Sequence, residues 1–151
     1  MLTSPEFKDL LSLLEKYHCR YLVIGGYAVM KYTEPRFTKD LDLLIAIDKK
    51  NAQAIYDALK EFGAPLKGLS KDDFSKTGFF YKMGVAPLRV DILMSVPGVD
   101  FESAWKQKET DFIDGVKLHF ISRADLISSK KASGRPQDLL DAENLEKNTT
   151  S

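Results

Sequence analysis

Asp40 and Asp42 flank a single leucine at the start of an apolar run, DLDLLIAI, that ends at Ile47. Read as a strand, positions i and i+2 project to one face with Cα atoms roughly 6.5 to 7 Å apart. Two like charges so placed beside a core repel one another unless a cation joins them. Divalent ions roughly 3.5 to 4 Å apart fit paired carboxylates, where they can activate an attacking oxygen and stabilise a leaving phosphate. The competing reading is a strand that simply ends at the surface, where acidic residues are common. Asp91 is a third carboxylate in an apolar strand, RVDILM, where a charge needs a reason. If its strand lies beside that of Asp40 and Asp42, the three share one site; the alternative is a salt bridge to Arg89 or to a loop cation.

Gly25 and Gly26 interrupt a short apolar strand, Arg20 to Ile24, just before the segment YAVMKY takes up helical character. Such a turn lets backbone N–H groups and a helix N-terminus approach phosphate oxygens, and it equally suits a tight turn that only glycine fits.

These residues need elements to hold them. Pro5 as first helical residue after a Ser4 cap, then Phe7, Leu10, Leu11, Leu14 and Tyr17, predict an opening helix. Asp48 caps a second long helix with Ala52, Ile55, Tyr56, Leu59 and Phe62 on its core face and Gly63 as its stop. Residues 64–77 read as loop with one helical turn near Asp72 to Ser75, and Phe79 to Met83 with Leu88 to Ser95 as a hairpin. Phe101 to Lys106 is a short helix and Val116 to Ile121 a further strand. Ser122 and Asp125 form a capping-box-like start to a helix ended by Gly134, and Pro136 opens a last helix with Leu139, Leu140 and Leu145. The expected architecture is α/β (α+β), a mixed sheet of about five strands flanked by helices.

The 151 residues suit one domain, expected over 1–146 with a polar tail over 147–151, and the 44% hydrophobic and 29% charged content is ordinary for a folded globular chain. Basic and acidic residues both number 22, so no global field draws the molecule to nucleic acid or an anionic membrane. One cysteine, Cys19, excludes an internal disulfide, no signal-peptide pattern opens the chain, and no apolar run nears the roughly 20 residues of a membrane span. A cytoplasmic location without membrane attachment is expected. His18, His119, Cys19 and Trp105 lack companions at ligand spacing and read as packing residues, as do Tyr27, Phe37 and Tyr81, although an aromatic among these could stack on a base.

The run IGGYAVMKYTEPRFTKDLDLLI, with 13 residues between Gly26 and Asp40, resembles the signature of the polymerase-beta-like nucleotidyltransferase superfamily: strand, glycine turn, D-x-D and a third aspartate on a later strand. PLRVDILMSVPGVDFESAW and DLISSKKASGRPQDLLDAENL extend the likeness toward the small nucleotidyltransferases related to the abortive-infection toxins of type IV toxin–antitoxin pairs. The resemblance covers Tyr21 to Leu145. It implies a nucleotidyltransferase fold, a triphosphate held by Gly25 and Gly26, and two Mg²⁺ held by Asp40, Asp42 and Asp91. It further implies Arg36 and Lys130 as phosphate-neutralising cations and Thr38 as a hydroxyl donor nearby. For Lys130 the alternative is an exposed helix lysine beside Lys131. Gly134, Arg135 and Asp138 match the closing motif, but Asp138 stands in the first turn of a helix, where the dipole favours a carboxylate anyway, and Arg135 could pair with it or with Asp141. Two features depart from the pattern: Gly26 stands where many members have serine, and no long helical acceptor domain follows the last motif.

The leading expectation is therefore a Mg²⁺- and NTP-dependent nucleotidyltransferase that moves an NMP to an acceptor hydroxyl and releases pyrophosphate. A transfer RNA, a protein or a small molecule could each supply that hydroxyl, and a cognate partner protein would fit the toxin–antitoxin likeness. The runner-up is a nucleotide-binding or partner-binding module of such a system without turnover, and a third reading is an interaction protein whose acidic cluster meets a basic partner.

Overall fold

The computed structural model describes residues 5–34, 40–84 and 89–147. Helix α1 (Pro5–Lys16) leads into strand β1 (Tyr21–Ile24), helix α2 (Gly25–Tyr32), strand β2 (Asp40–Ile45) and helix α3 (Lys49–Phe62). A 3₁₀ turn at Lys71–Ser75 precedes strands β3 (Phe80–Met83) and β4 (Arg89–Leu93) and helix α4 (Phe101–Lys106). Strands β5 (Glu109–Ile113) and β6 (Val116–Phe120) and helices α5 (Arg123–Ser133) and α6 (Pro136–Lys147) complete the order.

The strands form one mixed sheet in the order β3-β4-β2-β1-β6-β5. β2 with β4 and β1 with β6 run parallel, and the other neighbours are antiparallel. Six strands stand where the sequence suggested about five. The added one is β5, and its signal was present: Asp114 and Gly115 both take positive φ, 53° and 79°, in a two-residue turn joining Ile113 to Val116. α1 packs with α3, and α2 contacts β1, β2, α5 and α6, so two helix groups flank the sheet. No helix among the described residues is long and apolar enough to cross a membrane.

Capping explains the helix bounds. Asp48 accepts from Asn51 N–H at 3.0 Å, and Gly63 stops α3 with φ of 92°. Ser122 accepts from Asp125 N–H at 3.1 Å to start α5. The apolar faces of α1 and α3 are buried as their spacing predicts, with Leu10, Leu11, Ile55 and Leu59 at 0% exposure, each contributing about 1.5 to 3 kcal/mol.

The last helix departs from its apolar pattern. Leu139 and Leu140 are 46% and 50% exposed, whereas Asp138, Asp141, Ala142 and Leu145 form the buried stripe at i, i+3, i+4 and i+7. The two aspartates find partners on α5, and that pairing decides which way the helix turns. Tyr27 and Tyr81 are core residues, the latter donating to the Pro65 carbonyl at 2.8 Å, and His119 is sandwiched by Tyr21 and Trp105. Ser4 and Phe37, named above as a cap and an aromatic, lie outside the described residues.

Asn51 fastens the end of the sheet remote from the aspartates. Its buried amide accepts from Arg20 N–H at 2.7 Å and donates to the carbonyls of Arg20 and Ala46 at 3.1 and 2.7 Å. Asn51→Ala strands the Arg20 N–H and the Ala46 carbonyl, while the Arg20 carbonyl keeps the Ala46 N–H, and urea unfolding is expected to register a loss of roughly 2 kcal/mol or more; a loss below about 0.5 kcal/mol would show that water replaces the amide freely.

Candidate functional site

Parallel pairing of β2 with β4 sets Asp42 directly opposite Asp91, and in the same register Asp40 stands opposite Arg89. The row continues to Ile24 on one side and Lys82 on the other. Asp42 is flanked along its strand by Leu41 and Leu43, both at 0% exposure, so its carboxylate sits at the margin of the core. Burial first, and then the charge of Asp91, a hydrogen bond shared with it and the charge of Asp40, push the Asp42 carboxyl up to about 7. The Lys130 ammonium acts in the opposite sense.

Gly25 opens α2 with φ of +69°, a conformation that favours glycine, and a methyl at this position would overlap the Asp42 carboxylate. The chain therefore brings the unbonded N–H groups of a helix start against the carboxylate pair. Gly25, Gly26, Asp42, Asp91 and Lys130 line one cleft of about 470 Å³. Asp40 is not among the residues lining it, though its charge reaches Asp42. Arg36 and Thr38 lie outside the described residues.

The donor chemistry suits a hard divalent cation: two carboxylates in register, one of them raised in proton affinity by burial and by the charge of its neighbour. Mg²⁺ characteristically takes one or two carboxylates and completes its shell with water and phosphate oxygens. Among the described residues no group of three acidic, histidine or cysteine side chains is already gathered around a metal position.

The model of the family described as "Nucleotidyltransferase of unknown function (DUF6036)" matches residues 4–147. The chain belongs to that family. No curated protein matches it by sequence. A crystal structure of the lincosamide antibiotic adenylyltransferase LnuA, lincomycin-bound, is similar with a TM-score of 0.61 at 17% identity, covering 97% of this chain and 98% of that one. The solution structure of the antibiotic-resistance factor ANT(2'')-Ia aligns with a TM-score of 0.58 at 13% identity over 95% and 86% of the two chains. An antigenic nucleotidyltransferase-like protein from Paracoccidioides brasiliensis aligns at 0.55 and 19% over 94% and 73%. At these identities the likeness is one of fold.

In this nucleotidyltransferase the wall facing the carboxylates comes from α5, α6 and the loop after β4. Lys130 Nζ lies 3.1 Å from Asp138 and 3.2 Å from Asp141, so it is a largely buried ion-paired lysine and not an exposed one beside Lys131. Asp138 also accepts from Ser133 Oγ at 2.5 Å and Arg135 Nε at 2.8 Å. Burial alone would raise the Asp138 carboxyl, but the bonds from Ser133, Lys130 and Arg135 reverse this and hold it below the usual range. Ser95, Val96 and Pro97 form the rim, and Gly98 packs so closely on α5 that a methyl would press on Ala132 and the Ser128 carbonyl. Asp141, Gln137, Ser129 and Ser95 were not singled out in the sequence as cleft residues; the i, i+3 placement of Asp138 and Asp141 on the side away from Leu139 and Leu140 was the available signal.

A second cleft of about 490 Å³ lies at the opposite end of β1, around Arg20, Asp48 and Asn51. Its arginine already pairs with Asp48 at 2.8 Å and Glu102 at 2.7 Å, and its asparagine is committed to backbone.

Two outcomes follow. The raised Asp42 value means that the folded state binds more protons than the unfolded one between about pH 4 and 7, so this group's stabilising effect, full at acidic pH, is lost as pH rises through about 7. In chelator, Asp42→Asn is expected to melt above wild type at pH 8, with the gap narrowing toward pH 5; a gap independent of pH would refute the raised value. Gly25→Ala, which combines a positive φ with overlap at Asp42, should destabilise by about 1 to 3 kcal/mol in thermal or urea unfolding, and an unchanged midpoint would show that the carboxylate yields without cost.

Proposed function

We propose that this protein transfers an NMP from a nucleoside triphosphate to an acceptor hydroxyl with release of pyrophosphate. The observation that carries the reading is Asp42 beside Asp91 on neighbouring parallel strands, packed against a glycine-initiated helix start. Magnesium, two ions in the fullest form of the reading, would be held by Asp42 and Asp91 with Asp40 beside them, and when bound would neutralise phosphate charge at the reacting centre.

The chain's own groups supply the rest. The N–H groups of Gly25 and Gly26 bind phosphate oxygens at the start of α2, and Lys130 meets the phosphates from the opposite wall. Arg36 and Thr38 add a second cation and a hydroxyl donor. Asp91 accepts the proton of the acceptor hydroxyl as its oxygen forms a bond to the α-phosphorus and the bond from that phosphorus to pyrophosphate breaks. Leu93, Val96, Pro97 and Leu126 line the cleft with apolar surface that keeps bulk water from competing with the acceptor.

The fold neighbour named as an antibiotic adenylyltransferase, aligned over nearly its whole length, is the reason to place a small molecule ahead of a transfer RNA or a protein in an acceptor search. The closer kinship to abortive-infection toxins, and with it a cognate partner protein, is proposed on the stretches PLRVDILMSVPGVDFESAW and DLISSKKASGRPQDLLDAENL. One observation favours the reading without turnover: Lys130 is already satisfied by Asp138 and Asp141, and Gly26 offers no hydroxyl to a phosphate. A cytoplasmic setting belongs to the same proposal.

Thermal stability of wild type and of Asp42→Asn with each of the four NTPs, with and without Mg²⁺, tests nucleotide binding. At a hundred times the dissociation constant the folded state gains about 2.7 kcal/mol. Mg²⁺-dependent stabilisation in wild type and its loss in the variant are expected, followed by transfer of radiolabel from α-labelled NTP to an added small-molecule acceptor. Stabilisation without any labelled product would select the binding module, and no stabilisation by any NTP at millimolar concentration would leave the cleft without its ligand.

A further inference from the structure

Helix α6 buries two aspartates and exposes two leucines, the reverse of what its composition favours. Asp141 is the more deeply buried of the pair, at 2% exposure. A buried carboxylate costs several kcal/mol unless it is paired, and a hydrophobic residue in its place is often as stable or more so. The placement therefore calls for a local task, and the geometry identifies it. Asp141 Oδ2 lies 3.2 Å from Lys130 Nζ, and its Oδ1 accepts from Gln137 Nε2 at 3.1 Å, so the carboxylate is itself held in orientation. Asp138 is arranged differently, since Arg135 and Ser133 share it with Lys130. Lysine is a compact charge on a flexible four-carbon stem and needs an external support if it is to face one point in a cleft. Lys130, Asp138 and Asp141 line the same cleft as Gly25, Asp42 and Asp91, so the ammonium held by α6 stands at the wall of that cleft.

We propose that Asp141 is the positioning residue that aims the Lys130 ammonium at the triphosphate; this rests on the reading of the cleft as a nucleotide site. Asp141 touches no substrate in this scheme. It acts through Lys130, holding the ammonium at the α6 wall of the cleft that the β2–β4 carboxylates also line, with Gln137 fixing the carboxylate in turn.

The test uses magnesium tripolyphosphate, the moiety common to every NTP, titrated calorimetrically into the full chain. The set comprises wild type, Asp141→Asn, Lys130→Gln and the double variant, with folding checked by circular dichroism. If Asp141 acts through Lys130, each single change weakens binding by about tenfold or more, and the double variant binds no more weakly than Lys130→Gln alone. A merely structural role would not produce that non-additivity. Binding of Asp141→Asn within twofold of wild type, or additive losses in the double variant, would overturn the assignment while leaving the nucleotide reading intact. Absence of binding by wild type would overturn both. Should Asp141→Asn fail to fold, Asp141→Glu keeps the charge and moves it by one methylene: weakened binding that vanishes in the Lys130→Gln background supports the proposal, and wild-type affinity overturns it.

Discussion

The arrangement of the molecule follows from one unfavourable contact: two carboxylates, Asp42 and Asp91, placed in register on adjacent strands at the margin of an apolar core. Parallel pairing is what makes them coincide. In the antiparallel β1–β2 pair the residue opposite Asp42 is Ile24, which offers no charge of either sign. The strand can carry the repulsion because Leu41, Leu43, Val90 and Ile92 on either side of the aspartates are almost fully buried, and their burial anchors both strands against the strain. The cost shows in the proton affinity of Asp42, which only a cation or a proton relieves.

Charge on the far wall is organised on the opposite principle. There Asp138 and Asp141 are matched by Lys130 and Arg135, and the carboxyl of Asp138 is held down where that of Asp42 is driven up. The same side-chain chemistry thus serves in two electrostatic settings a few residues apart in space: an unbalanced pair that attracts a cation, and a balanced group that fixes a lysine. A triphosphate entering the cleft meets net negative charge unless metal accompanies it, which makes the proposed dependence on Mg²⁺ a consequence of the cleft's own charge as well as of the family resemblance.

Much of this was legible before any coordinates. The i, i+2 aspartates, the third aspartate in an apolar strand and the diglycine break are local features with few physical explanations, and five of the sheet's strands announced themselves by β-branched and apolar runs. What escaped did so for identifiable reasons. β5 is exposed except at Ile113 and carries Glu109 and Asp111, so only the Asp114–Gly115 turn betrayed it. The facing of Leu139 and Leu140 was not legible, because hydrophobic patterning assumes that charge faces water, and that assumption fails where a helix presents acids to a partner. Asp40 was assigned to the site from its i, i+2 spacing and the D-x-D resemblance; the register sets it opposite Arg89 at the start of the strand, with its charge still acting on Asp42.

The reversed helix and the carboxylate pair are instances of one rule. Each locates charge where burial penalises it, and each is tolerated because a neighbouring element was shaped to accept it: Gly25 by having no side chain, α5 by offering Lys130 at the height of Asp138 and Asp141. Where local preference and observed placement conflict, the compensating residue is the one to seek. Here the compensators line one cleft, and under the proposed nucleotide reading the two conflicts have a common cause: the walls present a cation-seeking pair and a fixed ammonium to the same ligand.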